Sequence, residues 1–228
     1  MAAAGLDNYI VFAGGQPTDT GTDSTLPWVD AYDNSGVKIN SVRTLNAATA
    51  FLAGATLNSG PTKRIIFAGG YSAKTGFAIS DATSYDSSLT KYVLSPLSVQ
   101  RGRLSGASVG NYVLFAGGYS SPGGVGVYYN TVDAYNSSLT RSTCTELSLK
   151  RNFMASASTS DYAYFAGGTP PVTNTIDVYD TNLTRTNHNT LSLPKHSVYG
   201  IGLNDIAIFA GGYNEGFSTA TIDSYGIV

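Results

Sequence analysis

Few residues in this 228-residue chain could do chemistry. It holds fifteen Asp and Glu, thirteen Lys and Arg, two His (His188 and His196) and one Cys, Cys144. General acid and base work needs two carboxylates facing one substrate. A Ser nucleophile needs a positioned His, and the sequence shows no such triad. Cys144 has no identifiable activating base and reads as an inert thiol. One Cys excludes an internal disulfide framework, and two His leave little for a histidine-based metal centre. Asp19 and Asp23 share one loop and hint at calcium, but two carboxylates fall short of the six to eight oxygens that ion takes. The formal net charge is −2, so no basic surplus exists to neutralise phosphates, and nucleic-acid binding is not expected. Aromatic and hydroxyl surface is plentiful instead: Tyr 16, Phe 9 and Trp 1, beside 66 Ser, Thr and Asn.

The elements that hold these groups repeat. Phe-Ala-Gly-Gly begins at Phe12, Phe67, Phe115, Phe165 and Phe209. A Tyr follows each one, at 32, 85, 135, 179 and 225. Asp stands two residues before that Tyr at Asp30, Asp133, Asp177 and Asp223, with Thr83 in the second copy. A turn follows the Tyr, opened by Asp33, Asp86, Asn136 or Asp180. Each unit reads as four short strands. The first is small and weakly apolar: Ala2–Leu6, Ala48–Leu57, Leu104–Val109, Met154–Thr159 and Val198–Leu203. The second is nearly all apolar, as burial on both faces requires: Tyr9–Ala13, Arg64–Ala68, Tyr112–Ala116, Tyr162–Ala166 and Ile206–Ala210. The third alternates, as in Val132–Tyr135, and the fourth is polar and Thr-rich, as in Arg141–Leu147. No segment carries helical spacing with caps.

Four antiparallel strands per repeat mark a propeller blade. The reading is all-β: one five-bladed β-propeller over residues 1–228, with blades near 1–46, 47–98, 99–148, 149–192 and 193–228. The last blade is expected to hold three strands and to leave an open edge near Ile222–Tyr225, unless Ile227 and Val228 curl over it. Ala, Gly and Ser on the first strands fit a tight hub. The Gly-Gly pairs read as structural, since no helix follows to complete a phosphate cradle. The glycosylation sequons at Asn136 and Asn182 fall in the repeated turn, which accounts for them.

The Gly-Gly and Tyr-[Asp/Asn] elements, at Tyr32-Asp33, Tyr85-Asp86, Tyr135-Asn136 and Tyr179-Asp180, resemble kelch repeats. The chain departs from that pattern at the Trp, whose positions hold Ile39, Tyr92, Ser142 and Thr186. The near-identical units look like kelch-like proteins encoded in phage and prophage tail regions of Gram-positive bacteria. Five-bladed glycosidases carry acids on their innermost strands, and no acid falls on a first strand here. Kelch-like copper oxidases need two His, Tyr ligands and a Cys cross-linked to Tyr. Cys144 lies on an outer strand instead, His188 on another, and His196 at a blade joint. The chain is therefore expected to be no enzyme and to need no cofactor or metal.

Variable loops on a rigid scaffold are where binding resides. The segments between second and third strands differ in length and sequence, while the opposite turns are nearly constant. They carry Trp28, Tyr71, Phe77, Tyr119, Tyr128, Tyr129, Tyr213 and Phe217 among small polar residues, a composition like that of an antibody paratope. The blade joints add Arg101, Arg103, Arg151 and Lys195 near that face. The expected function is recognition of a cell-surface glycan or protein, as in a phage-tail receptor-binding component. The alternative is an assembly subunit that docks virion or homo-oligomer partners through the loop face or the open edge. No apolar run is long enough to cross a membrane. Met1 to Asn8 shows no signal-peptide pattern, and a virion tail or extracellular setting is expected.

Overall fold

The computed structural model describes residues 1–17, 24–40, 42–59, 63–187 and 190–226. They form a five-bladed β-propeller whose blades are antiparallel sheets, each ordered from inner to outer strand along the chain. Blade 1 is Ala2–Leu6, Tyr9–Ala13, Val29–Asp33 and Lys38–Ile39. Blade 2 is Ala53–Leu57, Arg64–Ala68, Ala82–Asp86 and Lys91–Val93. Blade 3 is Ser105–Val109, Tyr112–Ala116, Val132–Asn136 and Arg141–Thr143. Blade 4 is Ala155–Ser158, Tyr162–Ala166, Ile176–Asp180 and Arg185–Asn187. Blade 5 has three strands among the described residues: Tyr199–Leu203, Ile206–Ala210 and Ile222–Gly226.

The second strands run over the residues their apolar pattern indicates. The inner strand of blade 1 runs over Ala2–Leu6 as expected, and those of blades 2 to 5 begin later than the composition suggests. Phe51, Arg103, Phe153 and Ser197 take positive φ of 55°, 56°, 52° and 53°, which breaks the extended path just before each inner strand. The outer strands also stop early. The chain then turns inward and buries Leu45, Leu97, Leu147 and Leu191.

Strand alternation gives each sheet two faces. The forward face carries small and branched residues, such as Ala107, Val109, Leu114 and Ala134 of blade 3. The rear face of the next blade meets it with Phe and Tyr, here Phe165 and Tyr179 of blade 4. The same pairing joins blade 1 to 2, blade 2 to 3 and blade 4 to 5. Within each rear face the Phe and Tyr rings meet edge-on or tilted, 5.9 to 6.3 Å apart. The Tyr hydroxyls of blades 2 to 5 donate to carbonyls of the preceding blade, at Arg43, Ser95, Thr145 and Thr190. Burial raises these phenols above their ordinary range, Tyr225 to about 12.

The inner strands surround an axial cavity of about 380 Å³, lined by Ala3, Gly54, Gly106, Ser156 and Gly200 among others. Small residues are required there. A Cβ on Gly54 would lie 2.7 Å from the Phe67 ring.

Candidate functional site

The site is built on the joints that carry the chain from one blade to the next. The second Gly of each Gly-Gly pair in blades 1 to 4 donates its N–H to a joint carbonyl: Thr49, Arg101, Arg151 or Lys195. Both glycines have positive φ in every blade, a conformation that excludes most side chains. The next residue pairs across the joint, as in the bridges Ala50 to Tyr71, Gly102 to Tyr119, Asn152 to Thr169 and His196 to Tyr213. The backbone therefore positions one residue per joint at the mouth of the axis: Phe51, Arg103, Phe153 and Ser197. Their main chains are linked in series. Arg103 N–H donates to Phe51 O at 2.8 Å, Phe153 N–H to Arg103 O at 3.2 Å, and Ser197 N–H to Phe153 O at 2.9 Å. The positive φ turns these four side chains away from the extended course of the strand behind them.

Arg103 is the centre of this arrangement. Its guanidinium carbon lies 5.5, 5.2 and 5.0 Å from the ring centres of Phe51, Tyr119 and Phe153, within cation–π range of all three. Among the described residues no carboxylate pairs with it. Beside it is a cleft of about 350 Å³ whose walls include Phe51, Tyr71, Phe77, Arg103, Tyr119 and Ser120. Among the described residues, no acid lines this cleft.

Three of the variable segments are small β-hairpins rather than open loops. They pair Tyr71–Ser72 with Phe77–Ala78, Tyr119–Ser120 with Val127–Tyr128, and Tyr213–Asn214 with Phe217–Ser218. The first two bring Tyr71, Phe77 and Tyr119 to the cleft. Tyr128 stands behind Tyr119, with ring centres 5.1 Å apart. Tyr129 is tied down by a 2.8 Å hydrogen bond with Ser120. The third hairpin places Tyr213 on His196, stacked at 6.0 Å, and His196 also meets Phe153 at 6.5 Å. Phe217 and Trp28 are exposed and do not line the cleft.

Arg101 and Arg151 require a correction. Neither is on the loop face; both side chains are fully buried. Arg101 donates from Nε to Gly117 O at 2.7 Å and pairs with Asp133 at 2.8 Å. Arg151 donates to Phe165 O at 3.1 Å and pairs with Asp177 at 2.8 Å. Lys195 repeats the motif with Asp223 at 2.7 Å. Burial lowers the pKa of both guanidinium groups, with Asp133 and Asp177 opposing it. Arg101 and Arg151 staple the ends of their blades by donating to backbone carbonyls as well as to an Asp, while Lys195 donates to Thr221 and Asp223. The repeating Asp was legible as structural, but the direction of its partner was not.

Sequence reasoning missed Phe51, Phe153 and His196 as parts of the site. The available signal was positional. The residue two before the anchor of each inner strand changes from Ala50 to Gly102, Asn152 and His196, and the one after it from Phe to Arg, Phe and Ser. The apolar anchors that follow, Leu52, Leu104, Met154 and Val198, stay apolar.

The remaining candidates lie elsewhere. Cys144 is half-buried against the core between blades 3 and 4, and burial pushes its thiol up to about 12. Asn136 and Asp180 each accept two backbone N–H bonds that close the repeated turn. Asp19, Asp23, His188, Ile227 and Val228 fall outside the described residues. No family model matches the chain, and no curated protein matches it significantly.

Proposed function

We propose that this chain is a non-catalytic recognition module that binds a glycan through the cleft beside Arg103. The observation that supports it is the Arg103 guanidinium, without a carboxylate partner among the described residues, set over Phe51, Tyr119 and Phe153 next to a 350 Å³ hollow. Aromatic faces take the apolar faces of sugar rings, and a guanidinium donates to their oxygens with five N–H groups. Ser120 and Ser121 supply smaller hydroxyl partners at the rim. The cleft is walled by hydrogen-bonded hairpins and joints, so little ordering is needed on binding.

The resemblance to kelch-like proteins of phage tail regions supports a tail or extracellular setting. There the natural ligand is a bacterial surface polymer. A second reading, a subunit that assembles with other proteins, is favoured by the exposed third strand of blade 5, where Ile222 faces solvent.

The test is a screen of host cell-wall polysaccharides and glycans against the wild type and three variants. Arg103→Ala, Tyr119→Ala and Tyr71→Ala should each weaken binding by roughly tenfold. Val93→Ser, on an outer strand, should leave it unchanged. Full binding by the Arg103→Ala/Tyr119→Ala double variant would remove the cleft from consideration.

A further inference from the structure

Among the described residues, one sheet face lacks the cover that every equivalent face has. The forward face of blade 5 presents Tyr199, Ile201, Leu203, Ile206, Ile208 and Ile222. Tyr199 is 82% exposed, Ile201 66%, Leu203 71% and Ile222 72%. The register shows what these positions are. Ile201 stands opposite Ile208, as Ala55 stands opposite Ile66 and Ala107 opposite Leu114. Those four counterparts are buried. The blade 5 residues are thus interface residues by position, with apolar side chains to match. A contiguous patch of six large apolar side chains exceeds what a soluble surface ordinarily leaves open.

The complementary surface is open too. The rear face of blade 1 carries Ile10, Phe12 and Tyr32, the counterparts of Ile65, Phe67 and Tyr85 in blade 2. Those three are fully buried under blade 1, whereas Ile10 is exposed and Phe12 and Tyr32 are only half-buried. Among the described residues, no hydrogen bond or ring contact joins blade 5 to blade 1.

We propose that these two faces form an open seat for a single further blade of the same repeat, supplied by a partner protein. The four internal interfaces state its chemistry. Its rear face carries Phe on the second strand and Tyr on the third, to cover Ile208 and Ile222. Its inner strand holds Gly, Ser or Ala where it meets blade 5. That is the pattern at Gly54 and Gly106, where any Cβ crowds a Phe ring or the neighbouring backbone. A second whole copy set head to tail does not fit the seat. If its blade 1 took this place, its other blades would run on around the same axis into the space of blades 1 to 4. The proposal does not rest on the loop-face reading.

The seat is tested on the full chain by tethering a blade to it. A duplicate of residues 99–148 is joined after residue 228 through a flexible Gly/Ser linker, which raises its local concentration. The readouts are fluorescence of a hydrophobic dye and hydrogen exchange in Tyr199–Leu203. The wild type should bind the dye as a monomer. The tethered blade should lower dye fluorescence several-fold and slow exchange by about tenfold. Ile201→Lys on the seat, a change at an already exposed site, should abolish that protection. So should a Lys in place of the Phe equivalent to Phe115 in the tethered copy. Unchanged dye binding and exchange with the blade attached would overturn the proposal. So would a monomeric wild type with no dye binding, whose faces close on each other. A wild-type dimer that hides the patch would overturn it in favour of a second copy.

Discussion

Arg101 and Asp133 show what the joint demands of a side chain. A buried ion pair is costly to assemble but far costlier to break, because the survivor is left charged and unpaired. The chain contains its own control. Blade 2 has Thr83 where other blades have Asp, and its joint residue is Thr49 where others have Arg or Lys. Thr49 Oγ1 donates to backbone carbonyls, including Gly69 O at 3.5 Å, so neither charge is stranded. Asp133→Thr alone should therefore destabilise the fold by about 3–5 kcal/mol. Adding Arg101→Thr should restore much of that loss, which a double-mutant cycle from urea melts will show. Equal losses in the single and double variants would deny the coupling. The Asp133 repeat was visible in the sequence. The burial of Arg101 was not, since the spacing to the joint does not say which way its side chain turns.

Elements here are short, and their ends matter more than their middles. In blades 1 to 4 the second strand ends in Gly-Gly because the chain must turn into left-handed φ while a joint carbonyl passes close by. At Gly117, φ is 62° and a Cβ would lie 2.5 Å from Arg151 O. At Gly76, φ is 72° but nothing lies within 4 Å. Gly76→Ala should cost only the left-handed backbone term, about 1–2 kcal/mol. Gly117→Ala should exceed it by at least about 2 kcal/mol, because overlap with the main chain adds to strain. Thermal or chemical melts of the two variants will separate space from conformation. Indistinguishable losses would mean that crowding contributes nothing. The second strands were legible because apolar residues on both faces admit few other readings. The three loop hairpins were not, because pairs of two residues leave no period to read.

At the scale of the whole molecule, carboxylates hold the blades in a way that pH can report. Burial works against ionisation of Asp223, but the Lys195 ammonium and Ser192 hold its pKa below the ordinary 3.8. Burial likewise opposes ionisation of Asp86. The Thr90 amide, the Tyr92 hydroxyl and the Ser88 amide prevail there and also lower it from 3.8. A carboxyl with a depressed folded pKa contributes stability above its unfolded pKa and loses it as pH falls through the folded value. The melting temperature should thus change little through these groups from neutral pH down to about 4, then fall. Asp223→Asn should lower stability at neutral pH and flatten the acid limb. An unchanged acid limb in that variant would show that Asp223 does not carry the linkage.

What the sequence determined by itself was the blade and its number. Five copies of Phe-Ala-Gly-Gly, each followed by Tyr, encode local strands, turns and hub packing that recur wherever the residues recur. It also indicated the face that varies, and Tyr71, Phe77 and Tyr119 do meet there. Only the tertiary structure decided which of the joint cations are buried and which stands among aromatic rings. Arg101 and Arg103 are two residues apart, yet one staples a blade and the other stands among aromatic rings. Side-chain direction at a joint follows from a single positive φ and from carbonyls contributed by distant strands. The same holds for the uncovered face of blade 5. Its residues look like every other core stripe in the chain, because apolarity records what a face can bury and not whether a neighbour has arrived to bury it.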